Sequence, residues 1–203
     1  IYLKIGNGKN SFLLESIEGG EKWGRYSIIG LPASKAIEVA GQCIKVYENG
    51  ELIEQIFDRD PFEFIQEYQD RYTIEDSSHL PRFSGGLVGF FSFDCVRYVE
   101  PKLRDSCPED NLRNPDIYLL LVDSFVIFDS QRGELSLVKY VEKESIDQAS
   151  NAKDYLDLLE KRLSTSPKFR ERKQTNGLFE HDFQTEFERE RFLEAINKIK
   201  EYI

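Results

Sequence analysis

The chain has 203 residues, 40% of them hydrophobic, with 15 Phe and 10 Tyr, a content that excludes a disordered chain and suffices for one large or two small domains. A formal net charge of −10 argues against nonspecific binding to nucleic acid or an anionic membrane, which clustered Lys and Arg would have to carry. No apolar run approaches the roughly 20 residues of a membrane helix, and Ile1 opens a strand-like segment without a basic leader, so a soluble, cytoplasmic protein is expected.

In chain order, Ser11–Leu14 and Ser27–Leu31 are short apolar runs bounded by Gly and Pro, which suits buried strands. Three more strands follow at Ala36–Ala40, Ile44–Tyr47 and Leu52–Ile56. The last two are joined through Asn49-Gly50, whose tolerance of positive φ favours a type I′ hairpin. A helix is predicted from Asp60, with Asp60 as N-cap, Pro61 in the first position, Glu63 completing a capping box, and Phe62, Ile65, Tyr68 and Tyr72 as its apolar face. A glycine-rich strand, "FSGGLVGFFSFD", comes next. Two long strands are then expected, Ile117–Phe128 and Glu134–Val141, around a turn with Asp129 and Gly133.

Apolar residues at helical spacing from Ser145 to Leu163 predict a second helix that ends before Pro167. Residues 164–182 are polar and basic and read as a linker. A last amphipathic helix is expected from Thr185, with Glu188 in capping-box register and Phe192, Ala195, Ile196, Ile199 and Ile203 on one face. Hairpins alternating with covering helices imply an α+β fold, two packed antiparallel sheets with helices outside. The expected division is a domain over 1–165, a linker over 166–182, and the first helix of a further domain over 183–203.

Self-contained chemistry is hard to find. The chain has no phosphate-binding loop, dinucleotide fingerprint, HExxH or GxSxG. Cys43, Cys95 and Cys107 fit neither a disulfide framework nor a zinc site, and reduced thiols are expected. His79 and His181 each stand alone in polar stretches, and "KFRERK" (168–173) reads as solvated linker. Gly85, Gly86 and Gly89 suit close packing of a strand better than a phosphate cradle. Paired acids such as Asp58 with Asp60, or Glu142 with Glu144, are expected by chance in a chain with 37 acidic residues.

One stretch stands apart. In "NSFLLESIEGGEKWGRYSIIGLPA" an apolar run ends in Glu15 and Ser16, passes Gly19, Gly20 and Gly24, and re-enters a strand through Arg25, Tyr26 and Ser27. A carboxylate, hydroxyls, a guanidinium and a phenol beside apolar walls suit a small zwitterion. The same residues also suit a structural loop between strands.

Three stretches, "FLLESIEGGEKWGRYSIIGLP" from Phe12, "GGLVGFFSFDCVRYVEP" from Gly85 and "PDIYLLLVDSFVIFD" from Pro115, resemble in order the N-terminal half of the anthranilate synthase component I family. The resemblance spans essentially the whole chain. It implies a lyase that converts chorismate and ammonia to anthranilate and pyruvate in tryptophan biosynthesis, the ammonia coming from glutamine through an amidotransferase partner, component II. It places the catalytic groups and Mg²⁺ carboxylates in a C-terminal chorismate-binding domain beyond this chain. No catalytic residue, cofactor or metal site is therefore expected within residues 1–203, and the chain alone is expected to be inactive.

The resemblance further implies that this part carries most of an L-tryptophan feedback-inhibition site. Leu14, Glu15 and Ser16 match its signature element, and either Arg25 or Tyr26 matches a second contact. With the remaining contacts elsewhere, the chain alone is expected to bind tryptophan weakly or not at all. Component I of aminodeoxychorismate synthase, in the folate pathway, shares architecture and substrate and stays open as an alternative, as does a stand-alone amino-acid-binding module.

Overall fold

The computed structural model describes residues 1–16, 24–75, 83–104, 112–143, 145–166, 182–183 and 187–203, with Gly177 and Phe179. The chain divides into two compact units, Ile1–Pro167 and Lys168–Ile203.

Within the first unit, nine described strands run in chain order as β1 (Phe12–Glu15), β2 (Tyr26–Gly30), β3 (Lys35–Ala40), β4 (Cys43–Glu48), β5 (Glu51–Phe57), β6 (Gly86–Phe91), β7 (Ile117–Val122), β8 (Ser124–Asp129) and β9 (Glu134–Lys139). They form two sheets, ordered β1-β2-β8-β9 and β5-β4-β3-β7-β6, with every pairing antiparallel. The helices are α1 (Tyr2–Ile5), α2 (Pro61–Asp70), α3 (Val96–Val99) and α4 (Ile146–Ser164), with short 3₁₀ turns at Phe93–Cys95 and Pro101–Leu103.

Side chains alternate across a strand, so a strand buried on both faces reads as a continuous apolar run. In β3 and β7 this splits the core. Ile37, Val39, Ile117 and Leu119 pack under Phe64, Ile65 and Tyr68 of α2, whereas Ala36, Leu120 and Val122 face Phe125 and Ile127 of the other sheet. The outer face of that other sheet, through Ile29, Leu31 and Val126, is covered by Leu159 of α4 and Ile5 of α1. The result is helix on sheet on sheet on helix, the expected α+β architecture.

Local signals placed two elements well. Asn49 and Gly50 take φ of 53° and 84° between β4 and β5, the positive pair a type I′ turn demands. The Asp60 carboxylate accepts from the backbone N–H of Phe62 (2.8 Å) and of Glu63 (3.3 Å), a cap that stabilises by about 1 kcal/mol. At Gly89 an added Cβ would overlap the Tyr118 carbonyl of the neighbouring strand, and at Gly85 it would crowd the Val122 carbonyl, so these two serve close packing, whereas Gly86 faces open space and is required by its φ of 103°.

Other expectations need correction. The Ile1 segment is not strand but the helix α1, held because Ile5 and Tyr2 pack against the Ile29–Leu31 layer. The single strand expected over Ile117–Phe128 is two, in different sheets. The chain changes sheet at Asp123, whose carbonyl accepts from Tyr140 N–H (2.7 Å) and whose carboxylate meets Lys139 Nζ (2.8 Å). Helix α2 stops at Asp70, leaving Tyr72 beyond it, and the fully buried Phe64 carries the face that Tyr72 was expected to extend.

In the second unit, helix α5 spans Arg189–Glu201 with Glu188 at its N-cap, so the helix begins later than a cap at Thr185 would place it. Thr185 lies outside the described residues, as do His79, His181, Cys107, Glu144, Pro167 and "KFRERK".

Candidate functional site

The register of β1 against β2 pairs Phe12 with Gly30, Leu14 with Ile28 and Glu15 with Ser27. The ladder continues one step further, because Ser16 N–H donates to the Tyr26 carbonyl at 3.1 Å. Residues directly opposite each other share a face of the sheet. Leu14, Ser16, Tyr26 and Ile28 therefore lie on one face, and Glu15 with Ser27 on the other. Tyr26 and Ile28 pack against the core between the sheets, which identifies their face as the inner one. Strand β1 is the edge of its sheet, and Leu14 stays 46% exposed there. An apolar side chain, a hydroxyl and a phenol ring thus meet at an open strand end.

Gly24 enters this arrangement through space. A Cβ at Gly24 would overlap the Ser16 carbonyl, so only glycine lets the chain return this close to the end of β1. Gly19, Gly20 and Trp23 lie outside the described residues.

Arg25 is held from another strand. Its Nη2 donates to Asp129 Oδ2 at 2.8 Å, and its Nε lies 3.2 and 3.1 Å from the two carboxylate oxygens. The guanidinium also sits 4.8 Å from the centre of the Tyr26 ring, a cation–π contact. Asp129 pairs with Tyr26 across the β2–β8 ladder and accepts from the backbone N–H groups of Gln131 (3.0 Å) and Arg132 (3.2 Å).

The hydrogen bond from Arg25 holds the Asp129 carboxyl below its ordinary pKa, against the opposing effect of burial and with help from the two N–H groups. The same bond raises the Arg25 pKa. Beside them, Ser130 Oγ donates to the carbonyls of Gly24 (3.0 Å) and Arg25 (2.9 Å), and Ser130 N–H to that of Arg25 (2.8 Å).

Of the five residues singled out in the sequence, the structure gathers Leu14, Ser16 and Tyr26 on one face. It ties Arg25 to their edge through Asp129 and sets Glu15, exposed, on the opposite face. Asp129 and Ser130 are the members that sequence reasoning missed. The available signal was Asp-Ser opening a turn that ends in Gly133. It marks a turn but not a partner 104 residues away.

A second polar cluster closes one end of the five-stranded sheet. Tyr98 Oη donates to Asp116 Oδ2 (2.5 Å), and the Cys95 thiol, pushed up by burial, donates to the Asp116 carbonyl (3.1 Å). Its groups bond to one another and brace the sheet. Among the described residues no cluster of three His, Cys, Asp or Glu could hold a metal ion, and no helix is long and apolar enough to cross a membrane.

The sequence pattern of chorismate binding enzymes matches residues 12–203. The chain belongs to that family. It is 40% identical to anthranilate synthase component 1 of Pseudomonas putida over 207 residues, covering 100% of this chain and 42% of that protein. The corresponding protein of Neisseria gonorrhoeae is 35% identical, again over 100% of this chain and 41% of the relative. The crystal structure of anthranilate synthase component I from Streptococcus pneumoniae TIGR4 superposes with a TM-score of 0.54 at 26% identity, covering 82% of this chain and 34% of that one. The chain spans about two fifths of the length of the curated relatives it matches.

Proposed function

We propose that the chain is the N-terminal part of an anthranilate synthase component 1 and carries most of a feedback site for L-tryptophan. The observation that carries this reading is the 40% identity to a relative of that name along the entire chain. The whole protein would take chorismate and ammonia to anthranilate and pyruvate with loss of water. The ammonia would come from glutamine through a component II partner, in the cytoplasm.

Residues 183–203 would open the catalytic half, with 166–182 as the linker to it. The carboxylates that hold Mg²⁺ would belong to that other half, and no step is assigned to the metal here. Residues 1–203 alone would not turn over chorismate.

At the effector site, the Ser16 hydroxyl suits the polar head of an amino acid, with Glu15 contributing through its backbone because its side chain lies on the opposite face of the sheet. Leu14 and the Tyr26 ring offer apolar surface to an indole, and Arg25 adds positive charge near its carboxylate. Inhibition follows if tryptophan binds one arrangement of the whole protein better than the active one, which shifts population away from activity.

The test is product identification with the full-length protein, chorismate and an ammonium salt. Anthranilate with pyruvate supports the reading. Accumulation of aminodeoxychorismate, or no reaction of chorismate, overturns it in favour of the folate-pathway relative or a binding module.

A further inference from the structure

We infer that Asp129 and Ser130, at the start of the β8–β9 turn, are positioning residues of the effector site, holding Gly24, Arg25 and Tyr26 where they meet Ser16. The inference rests on the effector reading above.

Gly24 and Arg25 lie just ahead of β2, and the turn supplies hydrogen bonds to their two carbonyls. Ser130 Oγ lies 3.0 Å from the Gly24 carbonyl and 2.9 Å from that of Arg25, and Ser130 N–H adds a bond of 2.8 Å to the latter. One hydroxyl proton shared between two carbonyls fixes their spacing. Asp129 takes hold of the side chain. Its side chain is 11% exposed, and the carboxylate accepts from Arg25 on one side and from two backbone N–H groups of its own turn on the other.

The chain of contacts is then continuous. The turn holds Asp129, Asp129 holds Arg25, Arg25 lies over Tyr26, and the Tyr26 carbonyl receives Ser16 N–H. Neither Asp129 nor Ser130 lies on β1, where the signature residues sit. They set the position of the residues that would touch the effector, so their loss should weaken tryptophan binding and leave chorismate turnover intact.

The experiment uses the full-length protein, ammonium-dependent anthranilate formation and an L-tryptophan titration for the parent, Asp129→Asn, Ser130→Ala and Ser130→Thr. The half-inhibitory tryptophan concentration should rise about tenfold in Ser130→Ala and Asp129→Asn, a usual size for a lost coupling. It should return to the parent value in Ser130→Thr, which keeps the hydroxyl. KM for chorismate and kcat should stay at parent values in all three variants.

A parent that is inhibited, with variants inhibited equally, overturns the inference and leaves the effector site standing. Variants whose KM rises or kcat falls along with the loss of tryptophan sensitivity also overturn it, because that pattern marks general damage. A parent that forms anthranilate but ignores tryptophan overturns the effector reading and this inference with it. If Asp129→Asn fails to fold, the Ser130 pair decides alone.

Discussion

Arg25 and Asp129, 104 residues apart in the chain, form a fork across the ladder of β2 and β8, with Nη2 2.8 Å from one carboxylate oxygen and Nε within 3.2 Å of both. The pair ties the residue just ahead of β2 to the turn that follows β8. Its members differ in exposure, 41% for the Arg25 side chain and 11% for that of Asp129. The pair therefore sits at the surface with its acid turned inward.

That geometry sets a pH dependence. The bond from Arg25 lowers the folded-state pKa of Asp129, and Arg132 and Glu134 at the rim are the other charged groups near it. A carboxyl with a depressed folded pKa stabilises fully above its unfolded value, about 3.9, and loses that contribution as pH falls through the folded pKa. Melting temperature measured from pH 7 down to pH 2 should favour the parent over Asp129→Asn at neutral pH, and the gap should close below about pH 4. Parallel curves would show that the pair contributes nothing through its charge.

Gly24→Ala tests the close return of the chain. The new methyl would overlap the Ser16 carbonyl, so the end of β1 must move away from β2. Overpacking of this kind costs about 1–3 kcal/mol, to be read from urea unfolding. Tryptophan sensitivity of the full-length protein should fall with it. Full retention of both would mean that the loop relaxes without disturbing Ser16.

Phe64 and Phe93 contrast burial with exposure. Phe64 is 0% exposed, packed between Arg59 and Tyr68 over the β3–β4 layer, and Phe64→Ala should cost about 3–5 kcal/mol. Phe93 is 89% exposed, and Phe93→Ser should change stability by no more than about 0.5 kcal/mol. Equal effects in denaturant unfolding would contradict the layering described.

Asp60→Ala removes the cap of α2 and leaves the N–H groups of Phe62 and Glu63 without their acceptor. A loss of about 1 kcal/mol is expected, with Asp60→Asn close to the parent because Asn caps comparably. Circular dichroism through a urea titration separates the two.

What was legible in the sequence is what short-range chemistry determines. Asn49-Gly50 announces its turn because both residues must take positive φ, and Asp60-Pro61 announces a helix because cap and first-turn geometry are local. The passage from β7 to β8 was not legible. Twelve mostly apolar residues look like one strand, and the bonds that divide them come from Tyr140 and Leu31, distant in sequence. Helix α1 is too short for periodicity to show and stands through its contact with Ile29 and Leu31. The site divides in the same way: Glu15, Ser16 and Tyr26 were visible as polar residues at strand ends, whereas their shared or opposite faces follow from register. Asp129 joins them only through the tertiary fold.

The most direct test of the account is an L-tryptophan titration of anthranilate formation by the full-length protein and its Ser16→Ala variant, with ammonium as the nitrogen source. The account expects the parent to be inhibited and the variant to need about tenfold or more tryptophan for the same inhibition, at unchanged kcat and KM for chorismate. Inhibition curves that coincide would contradict a tryptophan site at the end of β1.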